Sequence, residues 1–235
     1  GLEAVNNRFA QSAKDGPVTE QSPAFGPDFE LPRLERFLAA RFGRSDSFSC
    51  ERISGGQSTP TYFVDYGNRR LVLRKKPAGP ILKGAHAVER EYRVLQALSA
   101  TDVPVPKAVL LCEDESVIGR AFYVMEFVDG RVLWNQGLPE STKSERTAIY
   151  HEMNRVIAAL HTVDHAAIGL ADFGRPGNYF ARQISRWSKQ YQISEIDKIP
   201  EMDRLIEWLP ANIPANDETT IVHGDYRLDN LVFAH

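Results

Sequence analysis

The chain has 235 residues, of which 43% are hydrophobic and 25% charged, with a formal net charge of −3 and a pI near 6.1. This composition belongs to a globular protein able to bury a sizeable core, and its acidity gives no support for nucleic acid as a partner. No apolar run nears the ~20 residues that span a bilayer, and Cys50 and Cys112 form neither a CxxC pair nor a disulfide framework, so no membrane partner is expected and a reducing, cytoplasmic compartment fits.

Residues 1–28 are polar, carry Gly16-Pro17 and Gly26-Pro27, and lack the apolar core of a signal peptide, so they read as a flexible leader. A first helix is expected over Leu31–Phe42, with Leu34, Phe37, Leu38 and Phe42 on one face and Gly43 as its stop. Strand-like runs follow at 48–53, 61–66 and 70–74. Between the first two, Ser54-Gly-Gly-Gln-Ser-Thr-Pro60 is either a plain hairpin bend or a loop whose backbone N–H groups can approach phosphate oxygens. In the third strand Val72 and Arg74 share a face, while Leu71 and Leu73 point the other way. That strand delivers a cation just past the Gly-rich bend, as a phosphate partner or as an ordinary solvated strand end. A helix is predicted over residues 86–98, with Val88, Tyr92, Leu95 and Leu98 as its buried stripe. Of its acids, Glu91 is better placed than Glu89 to meet a strand cation.

Val103-Pro-Val-Pro106 is a stiff extended connector, because each proline disfavours helix at the residue before it. Residues 107–112 and 120–127 read as a further strand pair joined by an acidic turn at 113–116. Met125-Glu-Phe-Val-Asp-Gly130 then runs from an apolar strand into a turn and reads as a hinge, since composition changes there from strand-rich to helix-rich. Ser141 is expected to cap a long helix ending at Thr162, with Ile149, Met153, Val156, Ile157 and Leu160 on one face. Residues 178–192 predict another helix, striped by Phe180, Ile184, Trp187 and Tyr191, and 202–209 a shorter one before a loop at 210–217. His161 and His165 have helical spacing but no third ligand, which favours capping or packing over metal. Asp172-Phe-Gly174 copies a kinase metal-binding triplet but precedes the terminal loop instead of following it, so it reads as a turn.

The terminal stretch carries the chemistry. A β-type run at 219–222 enters a polar loop, and a second apolar run at 231–233 leaves it. The loop holds His223, Asp225 and Asn230. Kinases use this Asp-to-Asn spacing so that one side chain takes a hydroxyl proton while the other holds magnesium at the same phosphoryl group. A polar hairpin with ordinary turn residues is the alternative.

The order of these parts resembles the aminoglycoside phosphotransferase and choline kinase superfamily. His223-Gly-Asp225, with glycine where protein kinases usually carry arginine, resembles its small-molecule branch. Val72-Leu-Arg-Lys-Lys-Pro77, Arg90-Glu-Tyr92, Phe173-Gly-Arg-Pro-Gly177 and Arg186-Trp187 resemble the group associated with acyl-CoA dehydrogenases. The resemblance implies an α+β, protein-kinase-like two-lobe fold. Residues 29–128 would form an antiparallel-sheet, nucleotide-binding lobe, and residues 129–235 part of a mainly helical lobe carrying the catalytic loop. It implies transfer of the γ-phosphate of ATP, with Mg2+, to a small-molecule hydroxyl, and the dehydrogenase association points to a hydroxylated acyl compound. Asp225 would orient the hydroxyl, Asn230 bind magnesium and His223 brace the loop. Gly55, Gly56, Gln57 and Ser58 would cover the phosphates, Arg74 and Glu91 would form the phosphate-contacting pair, and Met125, Glu126 and Val128 would line the adenine. Arg74 stands where the family has lysine, with Lys76 on the same face. The family's second metal-binding aspartate is expected past His235, making this an incomplete copy of the helical lobe. An inert nucleotide-binding or scaffolding domain is the competing expectation.

Overall fold

The computed structural model describes residues 27–53, 59–77, 87–215 and 218–234. The predicted Gly-rich loop (Gly55, Gly56, Gln57 and Ser58) and most of the leader lie outside the described residues. Two compact units are present, one reaching His161 and resuming at Val222, the other spanning Thr162–Ile221.

The first unit is built on a five-stranded antiparallel sheet of β1 (Phe48–Arg52), β2 (Thr61–Tyr66), β3 (Arg69–Lys75), β4 (Ala108–Cys112) and β5 (Phe122–Glu126), in the order β1-β2-β3-β5-β4. Strand alternation sorts its side chains onto two faces. One face presents Tyr62, Val64, Leu71, Leu73, Phe122 and Val124 to α1 (Leu31–Phe42), which buries Leu34 and Leu38 there. Full burial of such side chains is worth roughly 1.5–3 kcal/mol each. The helix ends as expected at Gly43, whose φ of 86° suits glycine, and the chain turns back into the sheet. The opposite face presents Val72, Tyr123 and Met125 to α2 (Val88–Leu98), which contributes Val88 and Leu95. The alternation expected for β3 is therefore correct, but both its faces are covered.

Local differences from the sequence reading have local causes. Val94 is buried in α2, whereas Tyr92 is half-buried with its ring tilted against that of Tyr123. The acidic turn contains a one-turn helix, α3 (Glu115–Ile118), which Asp114 caps by accepting from the Ser116 N–H at 2.9 Å. Past the hinge, β6 (Gly130–Arg131) leads to α4 (Lys143–Thr162). The cap of α4 is Thr142, not Ser141. Thr142 Oγ1 accepts from the Glu145 N–H at 3.2 Å, and Glu145 accepts from the Thr142 N–H at 2.7 Å, forming a capping box. The β-type run at 219–222 is not a strand. The strand leaving the terminal loop, β7 (Phe233–Ala234), pairs instead with β6, about a hundred residues earlier.

The second unit holds α5 (Tyr179–Ser194) and α6 (Pro200–Ala211), which keeps Pro210 inside its last turn. The expected stripe of α5 is not buried, with Phe180 and Trp187 exposed. Asp172 and Phe173 lie in the turn before it, as the sequence order implied.

Candidate active site

The terminal loop folds through two local constraints. Gly224 has φ of 84°, in the left-handed region that L side chains resist, so glycine directly after His223 has a backbone reason. Leu228–Asn230 then form a single 3₁₀ turn that tucks Leu228 and Asn230 inward. Asn230 Nδ2 donates to the Asp225 carbonyl at 2.9 Å and to its carboxylate Oδ2 at 2.7 Å, so the two residues expected to act together touch. With its amide nitrogen directed at Asp225, Asn230 presents its carbonyl oxygen as a hard donor of the kind magnesium takes.

His223 is buried, and its Nδ1 accepts from the Asp225 N–H at 3.3 Å. Burial holds its pKa below the usual histidine value, and the Asp225 carboxylate offsets this only in part. A neutral ring accepting at Nδ1 agrees with that direction. Tyr226 packs edge-on against the ring at 5.4 Å and donates its hydroxyl to the Met153 carbonyl of α4 at 2.8 Å. His223 thus touches the Asp225 backbone through Nδ1 and packs its ring against Tyr226.

Other participants were not singled out in the sequence. Arg227 lies 3.4 Å from Asp225 and 3.2 Å from Asp229. Gln136 donates to Asp229 at 2.9 Å and accepts from the Leu228 N–H at 3.3 Å, tying the 3₁₀ turn to the segment before α4. Arg227 was legible, being two residues from Asp225. Gln136 was not, because ninety-two residues separate it from Leu228.

A cavity of about 580 Å³ opens beside this loop. It is lined by Met125, Glu126 and Val128 of the predicted hinge, by Glu91, and by His223 and Asn230. Much of the remaining wall is apolar and was missed: Val72, Leu95 and Leu160, with Val103 and Val105 of the Pro-rich connector. The connector is a wall of the cavity as well as a spacer. Met153, Val156 and Leu160, expected on one face of α4, line this cavity too, and of that face only Leu160 is buried.

Arg74 and Glu91 meet as expected, Nε to Oε2 at 3.4 Å, with both side chains largely buried. Lys76 is engaged elsewhere, with Glu89 at 2.9 Å. Lys75, on the opposite face, is buried and bonds Asp28 at 2.7 Å. Among the described residues no group of three or more His, Cys, Asp or Glu side chains is placed to hold a metal ion.

A family model described as the phosphotransferase enzyme family, APH, matches residues 49–235. The chain is 48% identical over 222 residues to Probable acyl-CoA dehydrogenase IBR3 of Arabidopsis thaliana, covering 87% of this chain and 27% of that protein. It is 46% identical over 202 residues to mouse Acyl-CoA dehydrogenase family member 10, covering 85% of this chain and 19% of that protein. A crystal structure from Ralstonia eutropha JMP134, assigned to the aminoglycoside phosphotransferases, matches with TM-score 0.78 and 56% identity over 88% of this chain and 61% of its own. The aminoglycoside phosphotransferase APH(4)-Ia shares the fold at TM-score 0.59 and 19% identity, over 87% of this chain and 68% of its own. The chain therefore spans 19% and 27% of the lengths of these two curated relatives. Its α+β fold is protein-kinase-like.

Proposed function

The chain belongs to the APH phosphotransferase enzyme family, and from that premise we propose that it transfers the γ-phosphate of ATP to a hydroxyl of a small molecule, with magnesium. The observation that carries this reading is the direct contact of Asp225 with Asn230 at 2.7 Å, beside a cavity that reaches the Met125 to Val128 hinge. Asp225 orients the acceptor hydroxyl and takes its proton, and its half-exposed carboxylate suits an incoming substrate. Asn230 offers an oxygen to magnesium, which when bound supplies charge neutralisation at the phosphates. His223 stays neutral and holds the backbone of Asp225 in place. Arg74, braced by Glu91, faces the phosphates, and Gly55, Gly56, Gln57 and Ser58 are assigned to the same phosphates from sequence alone. Met125, Glu126 and Val128 receive the adenine. The chemistry is positioning plus charge stabilisation, with no covalent enzyme intermediate.

We assign residues 29–128 to the nucleotide lobe and 129–235 to the helical lobe. Relatives named as acyl-CoA dehydrogenases support a hydroxylated acyl acceptor and an association with such a dehydrogenase. No helix among the described residues is long and apolar enough to cross a membrane. Cys50 and Cys112 are buried free thiols, with burial first among the causes pushing Cys50 up to about 12, which suits a reducing, cytoplasmic setting.

Thermal melts of the intact protein test the site. AMP-PNP with magnesium should raise Tm, and Asn230→Ala should remove most of that shift. An unchanged Tm in the wild type would contradict the reading. Arginine at position 74, where the family has lysine, favours one rival, an inert nucleotide-binding domain. That rival predicts the same nucleotide shift without transfer to any hydroxyl.

A further inference from the structure

Arg74 and Tyr123 are direct cross-strand partners in the β3–β5 register, which puts both side chains on the α2 face of the sheet. Glu91 of α2 meets them there. The Tyr123 hydroxyl donates to Glu91 Oε2 at 3.1 Å, the same oxygen that lies 3.4 Å from Arg74 Nε. Tyr123 is 1% exposed, and burial pushes its pKa up, so it remains a neutral donor throughout the physiological range.

We propose that Tyr123 is a positioning residue that fixes the Glu91 carboxylate and, through it, the aim of Arg74 at the nucleotide phosphates. The inference rests on the nucleotide site proposed above. An arginine in this role needs more restraint than a lysine. Its planar guanidinium must be oriented as well as placed, whereas an ammonium is a compact point charge. An ion pair of Arg74 and Glu91 alone fixes one edge of that plane. A third group bonded to the same carboxylate oxygen removes the freedom of Glu91 to rotate out of line. Phenylalanine at position 123 would keep the ring packing against Tyr92 and lose only the hydroxyl.

Calorimetric titration of the intact protein with magnesium AMP-PNP, and separately with adenosine, distinguishes positioning from general structural support. Tyr123→Phe should weaken AMP-PNP by about three- to tenfold, the size of one lost hydrogen bond. Adenosine, which has no phosphates for Arg74 to meet, should bind as it does to the wild type. The AMP-PNP loss should vanish when Tyr123→Phe is made in a Glu91→Ala background. Equal weakening of both ligands, undiminished weakening without Glu91, or no weakening at all would overturn the inference while leaving the nucleotide site standing. A wild type that binds neither ligand would overturn both.

Discussion

At Asp225 and Asn230 the sequence spacing and the geometry meet in one contact, and the residues around them separate what a local reading can reach from what it cannot. Gly224 was noted as a substitution for arginine, and its φ of 84° supplies the backbone reason. Arg227 and Tyr123 were within reach, the first by proximity to Asp225 and the second by strand alternation from Met125. Gln136 was beyond reach, since its partners come from the far end of the chain. His223 makes a pH prediction. Burial lowers its folded pKa below the ordinary 6.5, so as the pH falls the unfolded chain binds the proton first. The stability it supplies is present above that value and lost as the pH falls through the lowered folded value. Melting curves should therefore show the advantage of wild type over His223→Asn shrinking as the pH falls below 6.5. An advantage independent of pH would contradict the buried, neutral assignment.

Among the elements, α1 and β2 occupy the ranges expected of them, because each has a clear period and a turn at its end. Elements defined by distant pairing were misread. Residues 219–222 have strand propensity but pair with no strand among the described residues, while Phe233–Ala234 pair with Gly130–Arg131, a match that no local pattern announces. Thr142 was available as a cap through the Thr142 to Glu145 capping-box spacing, and Ser141 beside it obscured the choice. The β6–β7 pair matters because it fixes the chain three residues after Asn230. A Cβ on Gly130 would lie 2.5 Å from the Phe233 carbonyl oxygen, a backbone atom that cannot turn aside. Gly130→Ala should cost roughly 1–3 kcal/mol, the usual penalty of overpacking, in urea unfolding. Unchanged stability would mean that the two short strands separate without loss.

For the whole molecule, the order of parts was more informative than any one of them. A cationic strand, an acidic helix, a hinge and the His-x-Asp loop are each common, but in sequence they identified a family that the matched model and the Ralstonia eutropha structure establish. The acceptor was less legible, because it is chosen by side chains that need not lie in any motif. Hydroxylated acyl compounds are the acceptors proposed above. The most direct test is mass spectrometry of such compounds after incubation with the intact protein, ATP and magnesium. The acceptor should gain one phosphoryl group at its hydroxyl, with ADP formed in equal amount, and Asp225→Asn should abolish the gain. Nucleotide binding without phosphoryl transfer to any hydroxylated acyl compound, sugar or amino alcohol would contradict the assignment as a phosphotransferase.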